Sequence, residues 1–137
     1  MKRIFLILLL LLSACTQLEG PYLVTKVIDG DTIDIETGDR IRFSGINTPE
    51  TDECYYQEAK DEVKELILNK HIYLERDIDN KGKYGRLLRY IYLNDTMINA
   101  YLVQEGYAKV YDKYNETTKY YKELKQLEDK SKGLWLC

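Results

Sequence analysis

Apolar and polar residues alternate along three short stretches in the first third of the chain, and this alternation predicts three β-strands. The stretches cover residues 22–28, 31–37 and 40–46. In the second stretch Ile33 and Ile35 share one face and the acidic residues that alternate with them share the other, as in a half-buried strand. Asp-Gly and Gly-Asp pairs between the stretches are turn signals. We therefore expect a meander of three strands joined by tight turns.

The pattern changes after Pro49, which ends the third strand. Between residues 56 and 68 the apolar side chains of Ala59, Val63, Leu66 and Ile67 fall near one helical face. The other predicted elements are strands at 71–76 and 87–93, a polar loop at 77–86, a helix at 96–105, an extended or irregular segment at 107–114, and a third helix that Asn115 caps and Gly133 ends.

Five short strands and three helices predict an α+β domain that is mainly β. The order of the elements is compatible with a five-stranded Greek-key barrel of the OB type, with the first helix after the third strand. Other small α+β domains share this order of elements, so the order alone does not distinguish an OB-type barrel from them.

The N-terminus has the composition of a secretory signal. Lys2 and Arg3 precede a continuous apolar run at 4–12, which is shorter than the roughly 20 residues of a transmembrane helix. Leu-Ser-Ala before Cys15 resembles a bacterial lipobox, and the alternative is a secretory signal with a chance cysteine. We predict a signal peptide at 1–14, a lipidated Cys15 with a tether to residue 20, and one domain at 21–137. The protein would then be secreted and held on the membrane by lipid.

Charge and cysteines add two expectations about the mature domain. The net charge of the whole chain is −3, and loss of Lys2 and Arg3 makes the domain more acidic. This balance argues against broad binding of duplex DNA through a basic surface, but not against a local basic cleft. Cys54 and Cys137 are expected to form a disulfide in an extracytoplasmic compartment. Two free thiols or a metal site are the alternatives, and the spacing to the single His71 does not favour zinc.

Candidate chemistry is concentrated where the predicted strands end. The polar residues concerned are Asp31, Arg42, Asn47, Thr48, Glu50 and Arg86. Carboxylate, amide and carbonyl oxygens are the hard ligands that Ca²⁺ prefers. Guanidinium groups bind phosphate oxygens, and a glutamate can orient or deprotonate water. The sequence contains neither a Gly-x-Ser-x-Gly motif nor a P-loop lysine motif, and one histidine offers little for acid–base chemistry.

Several separated motifs resemble the thermonuclease (staphylococcal nuclease-like) family in order and spacing. They are VIDGDT at 27–32, RIRFSGINTPE at 40–50, DNKGKYGR at 79–86, YIY at 90–92, LVQEGYAKV at 102–110 and GLW at 133–135. The similarity covers roughly residues 21–136. It implies an OB-fold barrel with three helices and a Ca²⁺-dependent phosphodiesterase that acts on DNA and RNA.

The resemblance also implies roles for individual residues. Asp31 would be the principal carboxylate ligand, Asn47 would offer a neutral oxygen, and Thr48 its backbone carbonyl. Arg42 and Arg86 would clamp the phosphate, and Glu50 would act on the attacking water. Tyr84, Tyr111 and Tyr114 would line the nucleotide pocket by stacking on a base. The best-known members carry aspartate where this chain has Asn47, so we expect weaker Ca²⁺ binding here, which Asp29 and Asp34 could offset.

The sequence thus predicts a monomeric, lipid-anchored, extracytoplasmic nuclease that hydrolyses DNA or RNA with Ca²⁺. One alternative is a non-catalytic OB-fold module that holds nucleic acid or a protein at the membrane. A structural envelope lipoprotein is another alternative, but it leaves the arginines and the glutamate unexplained.

Overall fold

A computed structural model describes residues 17–137, and the predicted signal peptide and Cys15 lie outside this range. The strands are β1 (Glu19–Asp29), β2 (Thr32–Ile35), β3 (Arg40–Phe43), β4 (Ile46–Asn47), β5 (His71–Lys81), β6 (Leu87–Leu93), β7 (Thr96–Met97) and β8 (Lys109–Val110). The α-helices are α1 (Tyr56–Ile67), α2 (Ile98–Gln104) and α3 (Tyr121–Leu127), with 3₁₀ turns at Asn115–Thr117 and Gly133–Leu136. None of the helices in this range is both long and apolar enough to span a membrane.

Five strands close into a barrel. β1 pairs in antiparallel fashion with β2 on one side and with β5 on the other, β2 pairs with β3, and β5 pairs with β6. The barrel closes where β3 and β6 run parallel, with Arg42 opposite Leu88. Shifts of register along β1 mark bulges, which bend a strand and let it serve both sides of a barrel. The predicted class, an α+β OB-type barrel with three helices, is confirmed.

Inward-facing side chains fill the barrel with an apolar core. The fully buried members include Val24, Ile33, Ile41, Phe43, Ile72, Tyr90 and Ile91. Helix α1 packs on β1 and buries Ala59, Val63 and Ile67, which share one face as the spacing predicts. Each large aliphatic side chain buried in this way stabilises the fold by about 1.5–3 kcal/mol.

The buried side chain of Asn99 links α2 to β3 and β6, the strands that close the barrel. The Asn99 side-chain oxygen accepts a hydrogen bond of 2.9 Å from the amide of Ile91 in β6. Its amide group donates to the carbonyl of Ser44, which follows β3, at 2.9 Å, and to that of Arg89 at 3.4 Å. Asn99 therefore forms hydrogen bonds with backbone groups of β6 and of the residue that follows β3, the two strands that pair in parallel.

The boundaries of β5 differ from the sequence prediction. β5 continues to Lys81, which pairs with Leu87, so the first five residues of the predicted polar loop belong to a strand. Asp79 and Lys81 are exposed at the end of the barrel, whereas Asp77 is buried and accepts hydrogen bonds from Tyr90 and Lys119. The second and third strands are also shorter than predicted. β8, which pairs with β4, lies inside the segment that was expected to be extended or irregular.

The third helix begins later than predicted, at Tyr121, and ends at Leu127. Asn115 starts a 3₁₀ turn, after which Thr118 is extended. The cause is tertiary, because the amide of Lys119 donates to the Asp77 carboxylate at 2.9 Å rather than to a helical carbonyl. Gly133 does not end α3 but begins the last 3₁₀ turn, with φ at 63°.

Candidate active site

The predicted site residues meet at one end of the barrel. A cleft of about 480 Å³ opens between the β1–β2 turn, the residues after β3, the β5–β6 loop and the segment at 111–118. It is lined by Asp31, Arg42, Asn47, Glu50, Tyr84, Arg86, Tyr111 and Tyr114. Thr48 is buried beside the cleft and takes part through its backbone. Segments far apart in sequence thus form one concave site.

Asp31 is the buried centre of this site. One carboxylate oxygen accepts a 3.0 Å hydrogen bond from the amide of Thr48, and the other accepts one of the same length from the Thr32 hydroxyl. The β1–β2 turn fits against Thr48 because Gly30 has no side chain, since a Cβ there would lie 2.8 Å from the Thr48 methyl carbon. The Asp-Gly-Asp turn therefore places Asp31 against the segment that follows β3.

Arg42 lies between two of the predicted metal ligands. Its Nη2 donates to the Asn47 side-chain oxygen at 2.5 Å and lies 3.4 Å from the Asp31 carboxylate. Its Nη1 donates to the carbonyl of Phe43 at 2.6 Å. These contacts hold the guanidinium at the floor of the cleft, where it points toward the oxygens that would also attract a cation.

The two aspartates of the β1–β2 turn have opposite pKa shifts. Burial and the neighbouring Asp31 charge raise the pKa of Asp29 from 3.8 to about 6. Burial also tends to raise the pKa of Asp31, but the Arg42 guanidinium and the hydrogen bonds to its carboxylate outweigh burial and hold this pKa below 3.8. Asp31 is therefore ionised at neutral pH, beside a second carboxylate that repels it.

The oxygen atoms here fit a hard cation. An Asp31 carboxylate, an Asn47 amide oxygen and a Thr48 carbonyl are suitable ligands for Ca²⁺, and crowding of Asp29 and Asp31 is relieved by a positive ion. Within residues 17–137 no three His, Cys, Asp or Glu side chains form a metal cluster. Asp34, which could have offset the neutral charge of Asn47, pairs with Arg40 at 2.8 Å and does not line the cleft.

Arg86 reaches the site from the opposite wall. Its Nη1 lies 3.5 Å from the Thr32 hydroxyl, which itself donates to Asp31, and its guanidinium carbon lies 5.7 Å from the centre of the Tyr84 ring. Arg86 directly precedes β6, whose parallel pairing with β3 brings it near Arg42. The pairing of β3 with β6 therefore places two guanidinium groups, those of Arg42 and Arg86, at one cleft.

Aromatic rings and lysines form the outer part of the cleft. Tyr84 is 76% exposed, and Tyr111 and Tyr114 contact each other edge to face with centres 5.5 Å apart. Sequence reasoning missed further lining residues, namely Asp77, Asp79, Lys81, Lys83, Lys113 and Thr118. Three of these residues are lysines and two are aspartates, so the outer cleft carries charges of both signs. Lys81 and Lys83 lie in the motif at 79–86, and Lys113 had no sequence signal beyond its polar segment.

Glu50 lies at the mouth of the cleft on an exposed turn. Its amide donates to the Glu53 carboxylate at 2.7 Å, and the amide of Glu53 donates back to the Glu50 carbonyl at 2.8 Å. Next in the chain, Cys54 forms a disulfide with Cys137, with Cα atoms 6.0 Å apart. The C-terminus is thus joined covalently to the turn that carries Glu50.

Comparison with known proteins identifies the family. The model of the family described as staphylococcal nuclease homologue matches residues 40–137. The chain belongs to this family. It is 39% identical over 107 residues to a thermonuclease of Staphylococcus intermedius, covering 71% of this chain and 64% of that protein.

Two further relatives cover more of both proteins. A thermonuclease of Staphylococcus hyicus is 34% identical over 125 residues, which cover 85% of this chain and 73% of that protein. An uncharacterized endonuclease of Escherichia coli is 32% identical over 128 residues, which cover 88% and 79%. The match with the S. intermedius protein leaves more than a third of that protein uncovered.

Proposed function

We propose that this protein is a Ca²⁺-dependent nuclease that hydrolyses phosphodiester bonds in DNA or RNA. The observation that carries the proposal is the convergence of Asp31, Arg42, Asn47, Glu50 and Arg86 on one cleft. This set combines an anionic and a neutral oxygen ligand, Asp31 and Asn47, with two phosphate-binding cations and a second carboxylate. The names of the relatives, thermonuclease and endonuclease, support the same reaction class.

In this mechanism Asp31, Asn47 and the carbonyl of Thr48 would hold the ion. Ca²⁺, when bound, supplies positive charge that stabilises the charge developing on the phosphate. Arg42 and Arg86 bind the non-bridging phosphate oxygens and gain strength as those oxygens become more negative in the transition state. Glu50 orients the attacking water and accepts its proton while the new P–O bond forms and the opposite P–O bond breaks.

The outer cleft would hold the nucleotides on either side of the bond. Tyr84, Tyr111 and Tyr114 offer ring faces for stacking, which tolerates any base. Lys81, Lys83 and Lys113 add positive charge for the phosphate backbone of the substrate.

We also propose that the protein acts outside the cytoplasm as a lipid-anchored monomer. The lipobox-like sequence at Cys15 and the disulfide between the exposed residues Cys54 and Cys137 support this location. Labelling cells with a radioactive fatty acid tests the anchor. A chain that carries label only when Cys15 is intact supports it, and an unlabelled chain in the culture medium contradicts it.

The deciding experiment incubates the oxidised protein with single-stranded DNA, duplex DNA and RNA, in Ca²⁺ and in chelator. Glu50→Ala is the test variant, and Glu58→Ala is the control, because Glu58 is an exposed glutamate on α1. Cleavage in Ca²⁺ that is lost in chelator and in Glu50→Ala supports the proposal. Binding without cleavage across a wide Ca²⁺ range would instead favour the non-catalytic module.

A further inference from the structure

Residues 50–55, which we call the Glu50 turn, connect the cleft to α1 and are held at three consecutive positions. The first is Glu53, whose side chain accepts the amide of Glu50 at 2.7 Å while its own amide donates to the Glu50 carbonyl at 2.8 Å. The Glu53 side chain returns to the backbone three residues earlier, as the glutamate of a capping box does, and its amide closes the turn on the Glu50 carbonyl. Both backbone polar groups of Glu50 are thereby restrained.

The second position is Cys54, which is joined to Cys137 by the disulfide. The partner end is itself anchored, because the amide of Leu134 donates to the Gly106 carbonyl at 2.8 Å and its side chain is buried. The chain approaches Gly106 so closely that a Cβ on Gly133 would lie 2.1 Å from the Gly106 carbonyl oxygen. The disulfide therefore ties the Glu50 turn to a fixed point after α2.

The third position is Tyr55, which adopts a left-handed backbone conformation with φ at 75°. This conformation is unfavourable for a bulky side chain and persists only where surrounding contacts impose it. The Tyr55 ring stacks on Tyr107, with ring centres 5.7 Å apart. Tyr107 follows Gly106 in sequence, so the second and third anchors hold the turn to the same part of the fold.

The carboxylate of Glu50 has no comparable support. Among residues 17–137 no hydrogen bond or ion pair involves it, and the residues between Glu50 and Tyr55 are exposed. Within this range only the backbone of Glu50 is held by hydrogen bonds, so the turn sets the position from which the side chain extends. A pocket of about 470 Å³, which adjoins the cleft, is lined by Glu50, Glu53, Cys54 and Cys137, so the anchors lie directly beside the group they would position.

We propose that Glu53 is a positioning residue for Glu50 and that the Cys54–Cys137 disulfide keeps it in place, so that catalysis depends on the oxidation state of the protein. This inference rests on the proposed nuclease function, in which Glu50 acts on the attacking water. Displacement of a reacting group by about 1 Å can cost about 10²-fold in rate. The bridge is accessible to dithiols, because both cysteines are exposed.

The first experiment compares three variants of the full oxidised chain. Glu53→Ala removes the acceptor for the Glu50 amide and is expected to lower kcat about 10–100-fold with KM and Ca²⁺ affinity within about twofold. Glu53→Gln keeps a side-chain oxygen and should restore most of the rate. Asp52→Ala is the control, because it removes an exposed carboxylate from the same turn and leaves the Glu53 contact intact.

Hydrogen exchange at the Glu50 amide gives a readout besides activity. The amide should be protected in the wild type and in Glu53→Gln, and should exchange faster in Glu53→Ala. Loss of protection with an unchanged kcat overturns the inference. An oxidised wild type that cleaves nothing overturns the proposed function and this inference with it, whereas an active wild type and an equally active Glu53→Ala variant overturn this inference alone.

The second experiment tests the disulfide. Dithiothreitol reduces the bridge to two thiols and is itself oxidised to a cyclic disulfide. It should lower kcat of the wild type and should have no effect on the Cys54→Ser/Cys137→Ser double variant, which should already show the reduced rate. Circular dichroism at the assay temperature establishes that the reduced protein is folded. Folded, reduced protein with full kcat contradicts the role of the bridge.

Discussion

Arg42 donates a 2.5 Å hydrogen bond to the side-chain oxygen of Asn47, and the same guanidinium nitrogen lies 3.4 Å from the Asp31 carboxylate. A positively charged side chain thus occupies the space between two proposed ligands of a cation. The charge of residue 47 therefore affects both Arg42 and the proposed ion. A carboxylate at this position would attract the doubly charged ion more strongly than it attracts the singly charged arginine.

We expect Asn47→Asp to bind Ca²⁺ about tenfold more tightly than the wild type, which corresponds to about 1.4 kcal/mol. The added carboxylate supplies a charged ligand in place of a neutral one. Calorimetric titration of the substrate-free protein with Ca²⁺ measures the difference directly. Unchanged or weaker affinity in the variant would show that Asn47 is not a ligand.

We expect alanine substitutions of Arg86 and Arg42 to have different effects on activity and stability. Arg86→Ala is expected to lower kcat by about 10²–10³-fold, as for loss of a transition-state donor, and to change stability by less than about 0.5 kcal/mol. Arg86 makes one 3.5 Å contact with Thr32 and stacks near an exposed tyrosine, so few stabilising contacts are lost. Nuclease assays and urea unfolding on the same sample measure the two effects.

Arg42→Ala should lower both activity and stability. The Arg42 and Asp31 side chains are only 12% and 10% exposed, so removal of Arg42 leaves Asp31 buried without its counter-charge. We expect a loss of about 3 kcal/mol in the free energy of unfolding. If Arg42→Ala proves as stable as Arg86→Ala, the buried ion pair does not exist in solution.

Glu75 should make the fold sensitive to acid. It is buried and accepts hydrogen bonds from Lys119 at 2.7 Å, Tyr120 at 2.6 Å and Tyr92 at 2.9 Å. Burial tends to raise the pKa of Glu75, but these three partners outweigh burial and lower this pKa below its ordinary 4.5. A lowered pKa in the folded state means that the stabilisation is complete above pH 4.5 and is lost as pH falls through the folded-state pKa.

Comparison with Glu75→Gln checks this pH dependence. At pH 7 the variant should be less stable by about 2 kcal/mol, because hydrogen bonds to a charged group are lost. The difference in the free energy of unfolding should shrink as pH falls below 4.5, because Glu75 takes up a proton first in the unfolded chain and, at lower pH, in the folded protein. Urea titrations at several pH values give the result, with Glu58→Gln at an exposed position of α1 as control. A difference that stays constant down to pH 3 would contradict it.

Asn99 should be critical for barrel closure. Asn99→Ala leaves the amide of Ile91 and the carbonyls of Ser44 and Arg89 without this partner inside the fold, and we expect a loss of about 3 kcal/mol. Asn99→Asp keeps the acceptor but sets a carboxylate beside two carbonyl oxygens, so it should be at least as destabilising. Urea unfolding measures both, and a loss below about 1 kcal/mol for either would refute the role.

Several errors of the sequence prediction have one cause, which is that distant partners compete with local preference. The polar residues at 77–81 suggested a loop, but pairing with β6 keeps them in β5. Asn115 suggested a helix cap, but the bond from the Lys119 amide to Asp77 keeps the chain extended before α3. Gly133 suggested a helix end, but its close approach to Gly106 decides its conformation.

The sequence alone determined the strands of the first meander, the face of α1 and the types of residue available for chemistry. These follow from periods of two and 3.6 residues and from functional groups, all of which are local properties. It also carried the motifs that resemble the family. Tertiary structure decided which residues meet: parallel pairing of β3 with β6 brings Arg42 to Arg86, and the disulfide brings the C-terminus to Glu50. Contacts between residues far apart in sequence depend on barrel closure and packing, which no local pattern encodes.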